Sequence, residues 1–262
     1  MAGLCFATTT LLISGCNKID WDDLFHHPDK ADKFCAIKKI TAVWYGDTTI
    51  AKFSYNSYGD PVEVALNKMS TGHSGFRFLY DKSRRLTDYL GSYGDNYILN
   101  NSYEFWHHYV YQNGRIVRDT LRIFGEYPNY NYYYFLRVLT YEYDNNNRVI
   151  KMTDTQLKPD AFPTHFQTFT YNADGNLEKH AYYYSATDNS PSIYTYTYNL
   201  SKPNLLRTNK IWMFAGLDYS VNAPVNAVSY NQYGLPLKLN VPEYYFLPGF
   251  HIGNSSIEYQ CK

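Results

Sequence analysis

The stretch TYNADGNLEKHAYY, Thr170–Tyr183, places two short runs of strand-forming residues around a polar centre. Asp174-Gly175 supplies what a tight turn between strands needs, so the stretch reads as one β-hairpin. Its opening Tyr-Asn and its Gly-Asn-Leu recur in variants along the chain. Tyr followed by Asn, Asp or Gln opens a turn at Tyr55, Tyr80, Tyr111, Tyr143, Tyr171, Tyr198 and Tyr230, at spacings of 25 to 32 residues. The closest pair is YNSYGDPVEV from Tyr55 and YNQYGLPLKL from Tyr230; between them lie YDKSRRL, YQNGRIV, YDNNNRV, YNADGNL and YNLSKPNLL. Seven such cassettes signal a repeat architecture, in which a unit too small to bury its own face stacks on its neighbours.

Upstream of each turn, aromatic residues sit two apart: Phe76, Phe78 and Tyr80; Tyr109 and Tyr111; Tyr141 and Tyr143; Phe169 and Tyr171; Tyr194, Tyr196 and Tyr198. That period puts each set on one face of a strand. Composition agrees, since 30 Tyr, 15 Phe and 4 Trp stand against only 4 Met, and no window supports a helix longer than a turn or two. The expectation is an all-β chain, one large antiparallel up-and-down sheet of repeated hairpins. A strand near 36–45, two per cassette and a last one near 255–261 make about 16. An even number lets the first and last strands pair, giving a closed or flattened barrel. An open spiral sheet is the alternative.

The first residues carry a different signal. Leu11, Leu12, Ile13, Ser14, Gly15 and Cys16 end an apolar run that begins at Leu4 and is too short to span a bilayer. This resembles a bacterial lipoprotein signal, although MAGLC has no Lys or Arg ahead of the run. The resemblance implies removal of 1–15 and attachment of a diacylglyceryl group to Cys16; a small apolar strand is the alternative. Residues 16–33 are polar, with Asp20, Asp22 and Asp23, and read as a tether before a hairpin-repeat domain over 34–262. The motif Y-[DN]-x-x-G-R-L resembles the YD repeats of the Rhs and teneurin type. With the lipoprotein signal, it is similar to short YD-like lipoproteins of Bacteroidetes, whose domain of unknown function is described as porin-like. YDKSRRL lacks the glycine, YQNGRIV is one residue short and YNLSKPNLL is longer. The resemblance implies an outer-membrane lipoprotein, surface-exposed or periplasmic, held to the membrane by its lipid alone.

Membrane insertion of the sheet itself is not expected. Arg77, Arg118, Arg122, Glu142, Lys151, Glu178 and Lys179 interrupt both strand faces, whereas a membrane barrel needs an unbroken apolar outer band. The balance of 24 basic and 24 acidic residues argues against a nucleic-acid partner. Cys35 and Cys261 fall in the first and last expected strands, where a disulfide would lock the closure; two buried free thiols are the alternative.

Chemistry is sparse. Neighbours such as His107 and His108 point to opposite strand faces. If Tyr171 pairs Leu177, then His180 sits opposite Thr168 and His165 faces Tyr183, so no metal site is expected. No nucleophile elbow, phosphate loop or dinucleotide fingerprint occurs, so neither an enzyme nor a cofactor is expected. The densest aromatic segments are YEFWHHYVY, Tyr103–Tyr111, and NYNYYYF, Asn129–Phe135. Tyr103, Trp106, Tyr109, Tyr132 and Tyr134 are the candidate ligand contacts, with core packing as the alternative. The expected activity is non-catalytic binding of a glycan or small ligand, the alternative being a structural or adhesive surface protein with a protein partner.

Overall fold

Hairpin turns at six of the seven cassettes lead the chain up and down in a computed structural model that describes residues 35–44, 46–93, 101–160 and 162–261. The expected signal 1–15, Cys16 and the tether 16–33 lie outside the described residues. Twelve strands follow in order: β1 (Cys35–Trp44), β2 (Asp47–Tyr55), β3 (Pro61–Leu66), β4 (Gly75–Tyr80), β5 (Leu86–Ser92), β6 (Ser102–Gln112), β7 (Arg115–Glu126), β8 (Tyr133–Tyr143), β9 (Val149–Lys158), β10 (His165–Tyr171), β11 (Leu177–Tyr183) and β12 (Ser192–Thr195). The chain then leaves the sheet through β13 (Asn199–Pro203), a 3-10 turn (Leu205–Thr208), α1 (Lys210–Gly216) and β14 (Asn222–Ala223). It returns in β15 (Ser229–Tyr230) and β16 (Pro236–Asn240), makes a small hairpin of β17 (Tyr245–Leu247) and β18 (Phe250–His251), and ends in β19 (Asn254–Cys261).

The fold is all-β, built on one antiparallel sheet of 15 strands in the order β12 back to β1, then β19, β16 and β15. Expectation and structure part at closure. First and last strands do pair, Cys35 opposite Cys261, and a disulfide joins them with Cα atoms 4.0 Å apart. Yet β19 also pairs β16, so the ladder runs on and the sheet stays open, with β12 and β15 as its edges. The reason lies at the long cassette YNLSKPNLL, where the chain, having quit the sheet after Thr195, does not turn back to add a strand to β12.

The turns explain the second letter of the motif. Asn56 Oδ1 accepts from the Tyr58 and Asp60 amides, Asp81 Oδ1 from Ser83 and Arg85, Asp144 Oδ1 from Asn146 and Arg148, and Asn231 Oδ1 from Tyr233 and Leu235. The residue three places after the Asn or Asp has positive φ: Gly59, Gly175 and Gly234 fill it, and Arg84 and Asn147 occupy it despite their side chains. The shorter YQNGRIV turns through Asn113 and Gly114 alone, both at positive φ.

The tyrosine links one cassette to the previous one. Tyr80 donates its hydroxyl to the Pro61 carbonyl, Tyr111 to Leu86, Tyr143 to Ile116, Tyr171 to Val149 and Tyr198 to Leu177, at 2.6–3.3 Å. Tyr55 reaches the Ile37 carbonyl and Tyr259 that of Pro236 in the same manner. The arginine completes the link from the other side: Arg85 lies over the Tyr111 ring, Arg115 over Tyr143 and Arg148 over Tyr171. Between Tyr198 and Tyr230 the ladder of strands is broken, but Lys202 lies 4.6 Å from the Tyr230 ring centroid, in the place those arginines take. The cation half of the link is thus kept there, while the Tyr230 hydroxyl accepts from the Ala227 amide instead.

One face of the sheet, here the inner face, is covered by the chain's own insertion. Trp212 of α1 packs edge-on to Phe53 and Phe78, Phe246 of β17 joins them, and Phe214 lies against Tyr109 and Tyr141. Apolar burial of these rings holds sheet and cover together. The aromatic rows therefore line the core over β2–β8, and the insertion fills the space that a hollow barrel would leave.

Candidate ligand-binding face

Burial separates the five candidate contacts. Trp106 is 0% exposed, and Tyr103 and Tyr109 are buried as well, so none of the three offers a ring to a ligand. They also do not share a face. Tyr109 points into the core beside Phe214, whereas Trp106 points to the other side, beneath Tyr127 and Tyr130. There the Trp106 ring nitrogen donates to Asp88, His108 meets the same carboxylate, and Arg122 stacks over Trp106 and Tyr130. Tyr132 and Tyr134 are 58% and 63% exposed at the end of the sheet remote from the cassette turns. Thus YEFWHHYVY alternates core and covered outer face from Phe105 to Tyr111, a register shift at its start lets Tyr103 pack beside Trp106, and only the second aromatic segment keeps open rings.

His107 and His108 diverge, His107 meeting the buried carboxylate of Asp119 at 2.6 Å and His108 that of Asp88 at 2.8 Å. Tyr141 adds a second hydrogen bond to Asp119 from its hydroxyl. For His165 and His180 the expected register is off by one. A bulge between Thr170 and Tyr171 puts His180 opposite Phe169 and Thr168 opposite Ala181, while Tyr183 pairs Phe166. Equivalent bulges precede Tyr55, Tyr80, Tyr111 and Tyr143, because the cassette tyrosine and the first apolar residue of the return strand both face the core.

The bulge has a chemical result on the inner face of β8–β12, at the end away from the turns. The paired rows there carry Arg137 and Gln156, Asp154 and His165, Gln167 and Tyr182, and His180 and Tyr194. Arg137 grips Asp154 with two nitrogens, Nε at 2.9 Å to Oδ1 and a terminal nitrogen to Oδ2. His165 Nδ1 and the Tyr182 hydroxyl are 2.8 Å apart, and Tyr184 stands edge-on to Tyr182 at 4.8 Å. His180 Nε2 meets Gln167 at 2.7 Å while its ring lies between Phe169 and Tyr194. Burial raises the Asp154 carboxyl above its ordinary value, opposed by Arg137, and burial lowers His180. Tyr184 and Tyr194 remain 59% and 51% exposed. The arrangement offers open rings beside half-buried polar groups, which suits a ligand with both apolar and hydroxyl-bearing faces.

Arg137, Asp154, Tyr182 and Tyr184 are not among the residues that the sequence singles out. Arg137 and Asp154 each stand two places from a core residue, Leu139 and Met152, on the neighbouring strands β8 and β9, and the bulged register brings Tyr182 of β11 to the same face. Among the described residues no three His, Cys, Asp or Glu converge as metal ligands would, and no helix there is long and apolar enough to cross a membrane.

No family model matches the chain, and no curated protein matches it. Among solved structures it is similar to a porin-like protein from Bacteroides vulgatus, at 12% identity over 63% of this chain and 61% of that one, with a TM-score of 0.38. It is also similar to a chain of the TcdB2-TccC3-Cdc42 structure, at 13% identity over 75% of this chain and 10% of that one, with a TM-score of 0.31. The chain thus spans less than two thirds of either.

Proposed function

We propose that the chain is a non-catalytic binding module of a bacterial envelope lipoprotein, tethered by lipid at Cys16, and that its ligand is a glycan or similar small molecule. One observation carries the reading: Tyr184 and Tyr194 stand open beside the His165–Tyr182 and His180–Gln167 pairs, on the part of the inner face beyond the insertion. Stacking of sugar rings on exposed tyrosines, with hydrogen bonds from flanking polar groups, is the recognition such a face supports. The test is a glycan-array binding measurement on the protein and on Tyr184→Ala and Tyr194→Ala. Each substitution is expected to weaken binding about tenfold, since a well-placed ring contact is worth roughly 1–1.5 kcal/mol. Binding that survives both would put the ligand elsewhere. The anchor has its own test, namely metabolic labelling with a fatty-acid analogue, expected to be lost in Cys16→Ser.

A second reading, adhesion to a protein, draws on the β12 edge. Ser192–Thr195 pairs on one side only, carries no charge and exposes Ile193 and Tyr194, the features of an edge open to strand addition. Pull-down of a protein partner that is lost in Ile193→Lys would favour it.

A further inference from the structure

We infer that the ligand of the β8–β12 inner face is an uncharged saccharide, and that the Arg137–Asp154 pair is what excludes acidic ones. The inference rests on the glycan reading and adds to it the charge class of the sugar.

Among the described inward positions at the end of β8–β12 away from the turns, Arg137 supplies the one fixed cation and Asp154 the one fixed anion. They neutralise each other through two hydrogen bonds in a planar, fork-to-fork arrangement. The remaining polar groups facing the same space are His165, His180, Gln156, Gln167, Tyr182, Tyr184 and Tyr194, which donate and accept hydrogen bonds as sugar hydroxyls do. An acidic sugar arriving here finds no free cation. To use the guanidinium, its carboxylate would have to displace Asp154, leaving that half-buried carboxylate without its partner, and a buried charge stripped of its partner is strongly disfavoured. The raised titration of Asp154 under burial points the same way, since Arg137 is the group that keeps it ionised. A neutral sugar needs no such exchange. The pair therefore works as a charge filter, rejecting carboxylates by repulsion and desolvation.

The experiment compares matched probes, galactose oligomers and galacturonic acid oligomers of equal length, alongside other neutral and uronic pairs on an array, with the full chain. The expected result is saturable binding of one or more neutral probes, and binding of the acidic partner weaker by about tenfold or more. Asp154→Asn frees one arm of the guanidinium and is expected to narrow or reverse that preference, whereas Asp154→Glu, which keeps the pair, retains it. If Asp154→Asn fails to fold, the salt dependence of acidic-probe binding to the unsubstituted protein decides: it should not strengthen as NaCl falls from about 0.5 to 0.05 M, because no cation is free to pair with the carboxylate, and a marked rise overturns the inference. Equal or better binding of acidic probes overturns the inference while leaving the glycan reading intact, as does an Asp154→Asn variant that folds with unchanged preference. Absence of binding to every sugar, neutral or acidic, overturns the glycan reading and this inference with it.

Discussion

Tyr143 shows what a single cassette residue does. Its hydroxyl donates to the Ile116 carbonyl at 2.7 Å and its ring carries Arg115, so one side chain serves two cassettes. Tyr143→Phe keeps the ring and removes the donor, leaving a half-buried carbonyl unpaired; the expected cost is about 1–2 kcal/mol in chemical denaturation. Arg115→Ala removes the stacking and should cost less, about 0.5–1 kcal/mol. Because both act on the same ring, the double variant is expected to depart from additivity. A tyrosine before a turn was visible in the sequence, and the Asn or Asp after it was explained by the turn alone. The hydroxyl's partner was not visible, because it lies 27 residues away in the previous cassette. The same distance hid the arginine's role, since the R of each motif acts on the ring of the next.

Element by element, strands were legible and the insertion was not. Alternating aromatics and paired turns mark a strand wherever at least four residues repeat the period, which holds from β1 to β12. α1 has seven residues, less than the span over which a helical period declares itself, and it hides inside the cassette that departs furthest from the motif. Its contribution is nonetheless central, because fully buried Trp212 holds Phe53, Phe78 and Phe246 together. Trp212→Ala should therefore lower stability by about 3–5 kcal/mol, read from the urea midpoint, as large-to-small changes in a packed core do. Ala substitution at exposed Tyr184 should leave that midpoint within about 0.5 kcal/mol, which separates binding loss from unfolding. Bulges were the second blind spot. A one-residue shift moves every side chain beyond it to the other face, so Asp154, His165 and Tyr182 could not be assembled from strand alternation alone.

At the scale of the whole molecule, counting strands found the pairing of first and last but not the open sheet. An even count closes a barrel only if nothing extends beyond the last strand, and here β16 and β15 do. The disulfide between Cys35 and Cys261 spans 226 residues of sequence, so reducing it frees a long loop in the unfolded chain. By the chain-entropy argument the loss of stability is at most roughly 5 kcal/mol, and Cys35→Ser should reproduce most of what reductant does to the melting temperature. The belt of tyrosines carries a further consequence for pH. Burial raises the phenols of Tyr55, Tyr80, Tyr111, Tyr143, Tyr171, Tyr198 and Tyr259, Tyr111 to about 12 and the others higher. An unfolded chain releases these protons near its ordinary value of about 10, while the folded chain keeps them. Stability from the belt is thus fully present below pH of about 10 and falls as pH rises beyond it, because the unfolded state alone gains by ionising. Each fully retained proton removes up to about 1.4 kcal/mol per pH unit, and although the partly exposed rings such as Tyr198 and Tyr111 contribute less, the seven together amount to several kcal/mol per unit, on the order of 5. Over two pH units that is comparable with the stability of an ordinary domain, about 5–15 kcal/mol. Alkaline titration followed by tyrosinate absorbance and circular dichroism should show one cooperative transition between pH of about 10 and 12, releasing several phenols together as the sheet is lost. Gradual, independent ionisation with the sheet intact would mean that the hydroxyl belt does not hold the cassettes to one another.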